Sequence, residues 1–230
     1  MLNPVYFLMY STGEKANITQ IEGQFPQAPF LTVKEREDFV RDWIQVPDEK
    51  FKQYLMDWEM RGERSNPNYP TVEMSCDIVD WQERMHYIDD AVGMCAGLSS
   101  FPLKPPYHIH NYPAIISAAA GIELDEAGLT QVANRNRTLV RAVNVRKGLT
   151  PEDERPPVDH WKKRFPELEQ RLLDGYYKFK GWNSKGIPTK ETLNGMGLGY
   201  VADDLAARGI LTSGEGAPSP QDSAGTKGQG

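Results

Sequence analysis

Apolar residues recur along this chain at helical spacing, and almost no stretch alternates polar with apolar at period two. That pattern disfavours a sheet-built fold and points to an all-α architecture. Phe39, Val40, Trp43 and Ile44 share one helical face, and Phe51, Tyr54, Leu55 and Trp58 repeat the spacing, so Val33 to Trp58 reads as helical. A further helix is expected from about Thr71 to Val92, with Ile78, Trp81, Met85 and Ile88 on one side and Gly93 as its C-terminal stop. Leu129, Val132, Leu139, Val140 and Val143 stripe a long helix from about Leu124 to Lys147, stopped by Gly148. Thr150-Pro151-Glu152-Asp153 resembles a capped helix start with proline at the first helical position. Leu168, Leu172, Tyr176 and Phe179 mark the next helix, and Leu198, Val201, Leu205 and Ile210 the last.

Between these segments the chain is irregular. Residues 1–35, with Pro4, Gly13, Gly23, Pro26 and Pro29, read as loop with short extended pieces. Residues 61–70 form a polar loop, and Pro102, Pro105, Pro106 and Pro113 make 99–113 an irregular connector. From about Thr212 the composition falls to Gly, Ser, Pro, Ala and Gln, which cannot bury enough apolar surface to order itself. The expected organisation is an irregular segment plus helices over 1–70, a helical domain over 71–211 and a disordered tail over 212–230.

A net charge of −6 argues against nucleic acid as a partner, because polyanion binding needs basic patches, and it disfavours an anionic membrane surface. Two cysteines, Cys76 and Cys95, are too few for a disulfide framework and fit a reducing compartment. The apolar run Val5–Tyr10 lacks a basic region before it and a cleavage site after it, and it is too short to span a bilayer. A cytoplasmic protein without membrane insertion is expected.

Asp90-Ala-Val-Gly-Met-Cys95 carries the most chemistry per residue. An ionised carboxylate accepts paired hydrogen bonds from a flat N–H edge. Gly93 allows a turn that brings backbone close to a planar ligand. Cys95 offers a thiolate, the usual iron ligand of iron–sulfur clusters. Taken alone, the same stretch also describes a helix C-terminus with a buried cysteine.

Further stretches decide between these readings. Asn134 to Gly148, Tyr176-Tyr-Lys-Phe-Lys-Gly-Trp182, Gly186-Ile-Pro-Thr189 and Leu193-Asn-Gly-Met-Gly-Leu198 follow the motif in order. With it they resemble the C-terminal part of the tungsten-containing aldehyde:ferredoxin oxidoreductase family over about residues 70–211. Phe25-Pro-Gln-Ala-Pro-Phe30 and Tyr107-His-Ile-His-Asn-Tyr-Pro113 look most like the active-site subunit of class II, ATP-independent benzoyl-CoA reductases.

The resemblance implies a tungsten-bis-pyranopterin beside a [4Fe–4S] cluster. It assigns Asp90, Gly93, Met94 and Ala96 to pterin binding and Cys95 to the fourth cluster position. Met94 stands where the family has leucine, a change that conserves volume and apolarity. The implied reaction is two-electron reduction of the ring of an aryl-CoA thioester to a cyclic diene. Oxidation of an aldehyde to a carboxylic acid with ferredoxin is the alternative, and a cofactor-free helical interaction module is a third. The implied partners are the remainder of the catalytic subunit and an iron–sulfur electron-transfer subunit or ferredoxin. The family's C-x-x-C-x-x-x-C run, its first D-x-x-G-L motif and its β-rich base are not found in these residues. The chain therefore reads as about a third of a larger subunit, whether as a false start, a truncated frame or a split subunit, and is expected to be inactive alone.

Other candidates carry two readings each. His108 and His110 fit a surface loop, a proton shuttle in a substrate channel or, less well, a zinc site. His86 is either a core histidine or a group that tunes the cofactor. Arg135, Arg137, Arg141 and Arg146 fit a solvated helix face or a coenzyme A phosphate site. Cys76 reads as a structural thiol, and Trp161, Trp182, Tyr176 and Tyr177 as core aromatics.

Overall fold

The computed structural model describes residues 4–13, 72–94, 111–155 and 165–211. The expected helices of 33–58, the loop of 61–70, the connector up to residue 110, Trp161 and the tail from 212 lie outside those residues. Seven helices occur among the described residues: α1 Pro4–Thr12, α2 Val72–Val92, α3 Tyr112–Ala120, α4 Glu126–Arg146, α5 Pro166–Phe179, α6 Lys190–Gly195 and α7 Gly199–Ala207. No β-strand forms there; a lone antiparallel bridge joins Trp182 to Pro188. The all-α reading holds.

Helix α1 corrects the loop-and-extended reading of the N-terminal residues. Pro4 stands at its first position, where a missing N–H costs nothing. Phe7 and Leu8 are fully buried, and Thr12 closes the helix by donating from Oγ1 to the Leu8 carbonyl at 2.7 Å. Helix α3 is the second correction. Pro113 does not break the chain but sits in the first turn of α3, and Gly121 caps the other end at φ 66°.

The central packing is α2 against α4, with α1 and α5 on the remaining sides of α2. Trp81, Met85 and Ile88 are buried as the spacing predicts, joined by Val79 and Tyr87. On α4 the buried stripe differs from the expected one: Leu129, Ala133, Arg137, Arg141 and Val145 face inward at strict i+4 spacing, while Val143 is 41% exposed. Burying a leucine, valine or phenylalanine contributes about 1.5–3 kcal/mol, so the apolar members hold the helices together. The two arginines on the same stripe need partners to be tolerated there. A second cluster joins Ala142 of α4 to Leu193, Leu198, Val201, Ala202 and Leu205 under α6 and α7.

Thr150–Asp153 is a closed turn and not a helix start. The Asp153 carboxylate accepts from the Thr150 backbone N–H and hydroxyl, both at 2.8 Å, and the chain leaves the turn at Arg155. Among the described residues no helix is long and apolar enough to cross a membrane.

Candidate cofactor site

Asp90 and Gly93 form the terminal turn of α2. Gly93 adopts φ 74°, which only glycine enters without strain. Its N–H donates to the Asp90 carbonyl at 3.3 Å, and the Met94 N–H donates to the Asp89 carbonyl at 2.8 Å. These 5→2 and 6→1 bonds satisfy carbonyls the helix leaves open. Met94 then folds its side chain onto the core. The helix-terminus reading of this stretch is thus correct, and it leaves the carboxylate's role open.

The adjacent aspartates diverge. Asp89 is buried and accepts from the Tyr112 hydroxyl at 2.8 Å, tying the end of α2 to the start of α3. Asp90 is exposed. A Cβ added at Gly93 would meet no atom within 4 Å, so the turn has open space beside it. Both carboxylates stand at the negative end of a 21-residue helix whose last turn has no basic residue. Each such placement costs roughly 0.3–1 kcal/mol. Asp89 offsets that cost through Tyr112, while the Asp90 side chain is exposed. Cys95 and Ala96 lie outside the described residues, as do His108 and His110. Among the described residues no group of three or more His, Cys, Asp or Glu is placed to hold a metal ion. His86 and Cys76 are both buried, consistent with core positions.

Behind the turn lies a buried charge cluster that local sequence patterns did not reveal. Glu83, on α2, accepts from Arg137 Nε of α4 at 2.8 Å and from the Tyr176 hydroxyl of α5 at 2.6 Å. Lys180, just past α5, reaches Glu83 at 2.8 Å and Asp80 at 2.6 Å. Arg137 Nη2 also donates to the Thr12 carbonyl at 2.9 Å and to Tyr176 at 3.1 Å, so one guanidinium gathers four helices. Burial would raise the Glu83 carboxyl, but Arg137 and Lys180 outweigh it and hold its pKa at about 2. Burial would lower Lys180, yet Asp80 and Glu83 push it above its usual value. Tyr176 is raised, by burial first and by Glu83 beside it.

Arg141 builds a neighbouring cluster. Its Nη1 and Nη2 pair with Glu154 at 2.5 and 2.9 Å, and its Nε donates to the Gly186 carbonyl at 2.8 Å. The Tyr177 hydroxyl donates to the same carboxylate, and burial followed by Glu154 raises that phenol. The Trp182 ring lies 5.1 Å from the Arg137 guanidinium and 4.5 Å from that of Arg141. Arg137 and Arg141 are therefore neither a solvated face nor open to a phosphate. Arg135 and Arg146 are exposed. Tyr176, Tyr177 and Trp182 are core aromatics, as expected.

These elements match known proteins. The model of aldehyde ferredoxin oxidoreductase, domains 2 and 3, fits residues 35–198. The chain belongs to the aldehyde ferredoxin oxidoreductase family. It is also similar to a solved structure, the active site complex BamBC of benzoyl coenzyme A reductase in complex with 1,5-dienoyl-CoA. Identity is 69%, the TM-score is 0.80, and the match covers 93% of this chain and 33% of the other. The chain thus spans about a third of the length of the structure it matches. No curated protein matches it. In this family context the α2 terminal turn carries the D-x-x-G pattern, and the Arg141–Gly186 bond holds the Gly-Ile-Pro-Thr segment.

Proposed function

We propose that this chain forms the helical part of a benzoyl-CoA reductase catalytic subunit, with Asp90 gripping one pterin of a tungsten-bis-pyranopterin and Cys95 completing a [4Fe–4S] cluster. The observation that carries the reading is the 69% identity over 93% of the chain to a benzoyl-CoA reductase active-site complex. The family match over residues 35–198 spans the α2 terminus, α4 and α5 together.

The residues present fit the pterin. Asp90 is an exposed acceptor at a helix end where negative charge is otherwise unfavourable. A flat amino-pyrimidine edge presents the paired N–H donors that such a carboxylate accepts. The open space at Gly93 admits a planar group close to backbone, and the Met94 backbone together with Ala96 would complete the contact. Cys95 supplies one thiolate, and the remaining cluster ligands would come from the rest of the subunit. When bound, the metal and cluster supply low-potential electrons, two per aromatic ring, to give a cyclic dienoyl-CoA. This chain's part is placement, with Asp90 and Cys95 five positions apart in sequence keeping the two centres near each other. The proposed partners are the rest of the catalytic subunit, an iron–sulfur electron-transfer subunit or ferredoxin, and an aryl-CoA substrate; the proposed location is the cytoplasm.

The test is an assay of the complete catalytic subunit with its iron–sulfur partner, offered benzoyl-CoA and simple aldehydes in parallel. Interconversion of benzoyl-CoA and the cyclic diene supports the proposal. Aldehyde oxidation without any reaction of benzoyl-CoA overturns it in favour of an aldehyde:ferredoxin oxidoreductase.

A further inference from the structure

Glu83 and Asp90 stand on the same stripe of α2, seven residues and so roughly 10.5 Å apart along the axis. Glu83 is held from three directions by Arg137, Tyr176 and Lys180, and Asp80 one turn earlier is held by Lys180 and by Arg84 at 2.9 Å. We propose that Glu83, Arg137, Tyr176 and Lys180 are positioning residues that lock the axial register of α2 and so set Asp90 on the cofactor. The inference rests on the pterin reading of Asp90.

Physical reasons favour a register lock over a simple source of stability. Buried ion pairs add little net stability compared with apolar residues of the same shape, and their best-attested use is to fix register. The buried Trp81, Met85 and Ile88 fix which face of α2 turns to the core but leave a small axial shift inexpensive, because hydrophobic attraction is non-directional. The cluster makes it costly, because Glu83 and Arg137 have side chains only 15% and 3% exposed and would each lose a charged partner. An axial shift by one residue's rise moves Asp90 by about 1.5 Å. Paired hydrogen bonds to a planar edge do not survive that displacement, since a productive site holds its groups within roughly 0.5 Å. Arg137 also takes the Thr12 carbonyl at 2.9 Å, so α1 is locked with α2 by the same group.

The test uses the complete catalytic subunit in complex with its iron–sulfur partner. Variants are Glu83→Gln, which keeps the shape and removes the charge, and the triple change Glu83→Met, Arg137→Met, Tyr176→Phe, which replaces three of the four members by apolar groups and leaves Lys180 paired with Asp80. Readouts are melting temperature, pterin and tungsten per protein after dialysis, and the electron paramagnetic resonance spectrum of the reduced cluster. The expected result is a folded protein whose pterin retention falls roughly tenfold, as for other supporting-shell changes, with an altered cluster spectrum. Retention and spectrum unchanged in a folded Glu83→Gln or triple variant overturns the proposal. Should the triple variant not fold, Glu83→Gln alone decides by the same criteria. Asp90→Ala, made alongside, separates the two ideas. Full pterin retention in Asp90→Ala sinks the reading of Asp90 itself, whereas its loss there with retention in the Glu83 variants sinks only the register lock.

Discussion

Replacing Gly186 by alanine should destabilise the fold far more than the same change at Gly93. Both positions have similar backbone, φ 69° and φ 74°. The intrinsic cost of putting alanine in left-handed backbone is about 1 kcal/mol at each. Their surroundings differ. At Gly93 the new methyl meets nothing within 4 Å, whereas at Gly186 it collides with Arg141 Nη2 and the Tyr177 ring. Arg141 is fully buried and its carboxylate partner Glu154 is 2% exposed, so neither has water to turn to. Complete loss of one partner from such a pair costs about 3–5 kcal/mol, and a displaced but partly paired guanidinium costs roughly 2–3 kcal/mol. The expected totals are about 3–4 kcal/mol for Gly186→Ala and about 1 kcal/mol for Gly93→Ala. For a chain of this size that corresponds to melting shifts of roughly 10 °C and roughly 3 °C. Thermal unfolding followed by tryptophan fluorescence suits the question, because the Trp182 ring lies 4.5 Å from the Arg141 guanidinium. Equal shifts for the two variants would refute the claim that Gly186 exists to let Arg141 pass.

Other expectations follow from the same groups. The Glu83 pKa is depressed from 4.5 to about 2, so its stabilisation is complete above pH 4.5 and disappears as pH falls through about 2. Glu83→Gln should flatten that acid limb of a stability–pH curve, removing a contribution of about 3 kcal/mol. Lys180 is shifted upward, so its contribution is complete below pH 10.5 and is lost as pH climbs through its raised value; Lys180→Met should remove that alkaline loss in the same titration. The Asp125 carboxylate caps α4 by accepting from the Gly128 N–H at 2.7 Å, and Asp125→Ala should cost about 1 kcal/mol by denaturant unfolding.

The long helices were legible because their boundaries carry chemistry that sequence displays. Gly93 and Gly148 stop α2 and α4 where glycine is needed, and Trp81, Met85 and Ile88 recur at core spacing. Helix α1 was not legible. Its residues fall in the 1–35 stretch that reads as loop with short extended pieces, and it is burial against α2 and α5 that makes the segment helical. Helix α3 was hidden by Pro113, counted as a breaker although a proline in a first turn is harmless. The charge cluster was missed because its bonds join residues 54 and 93 positions apart. A signal did exist: Arg137 and Arg141 continue the i+4 series of Leu129 and Ala133 and so belong to the buried stripe. Of the proposed cofactor residues, Asp90, Gly93 and Met94 form the terminal turn of α2, while Cys95 and Ala96 fall beyond the described residues.

Asp90→Ala in the complete catalytic subunit addresses the main claim most directly, with cofactor content and melting temperature measured on the same sample stripped of cofactor and reloaded. Removing this exposed side chain should leave the stripped protein folded and within about 1 kcal/mol of the parent. The reloaded protein should lose its pterin and tungsten. A variant that is less stable when stripped yet holds its full cofactor would make Asp90 a structural residue and contradict the account.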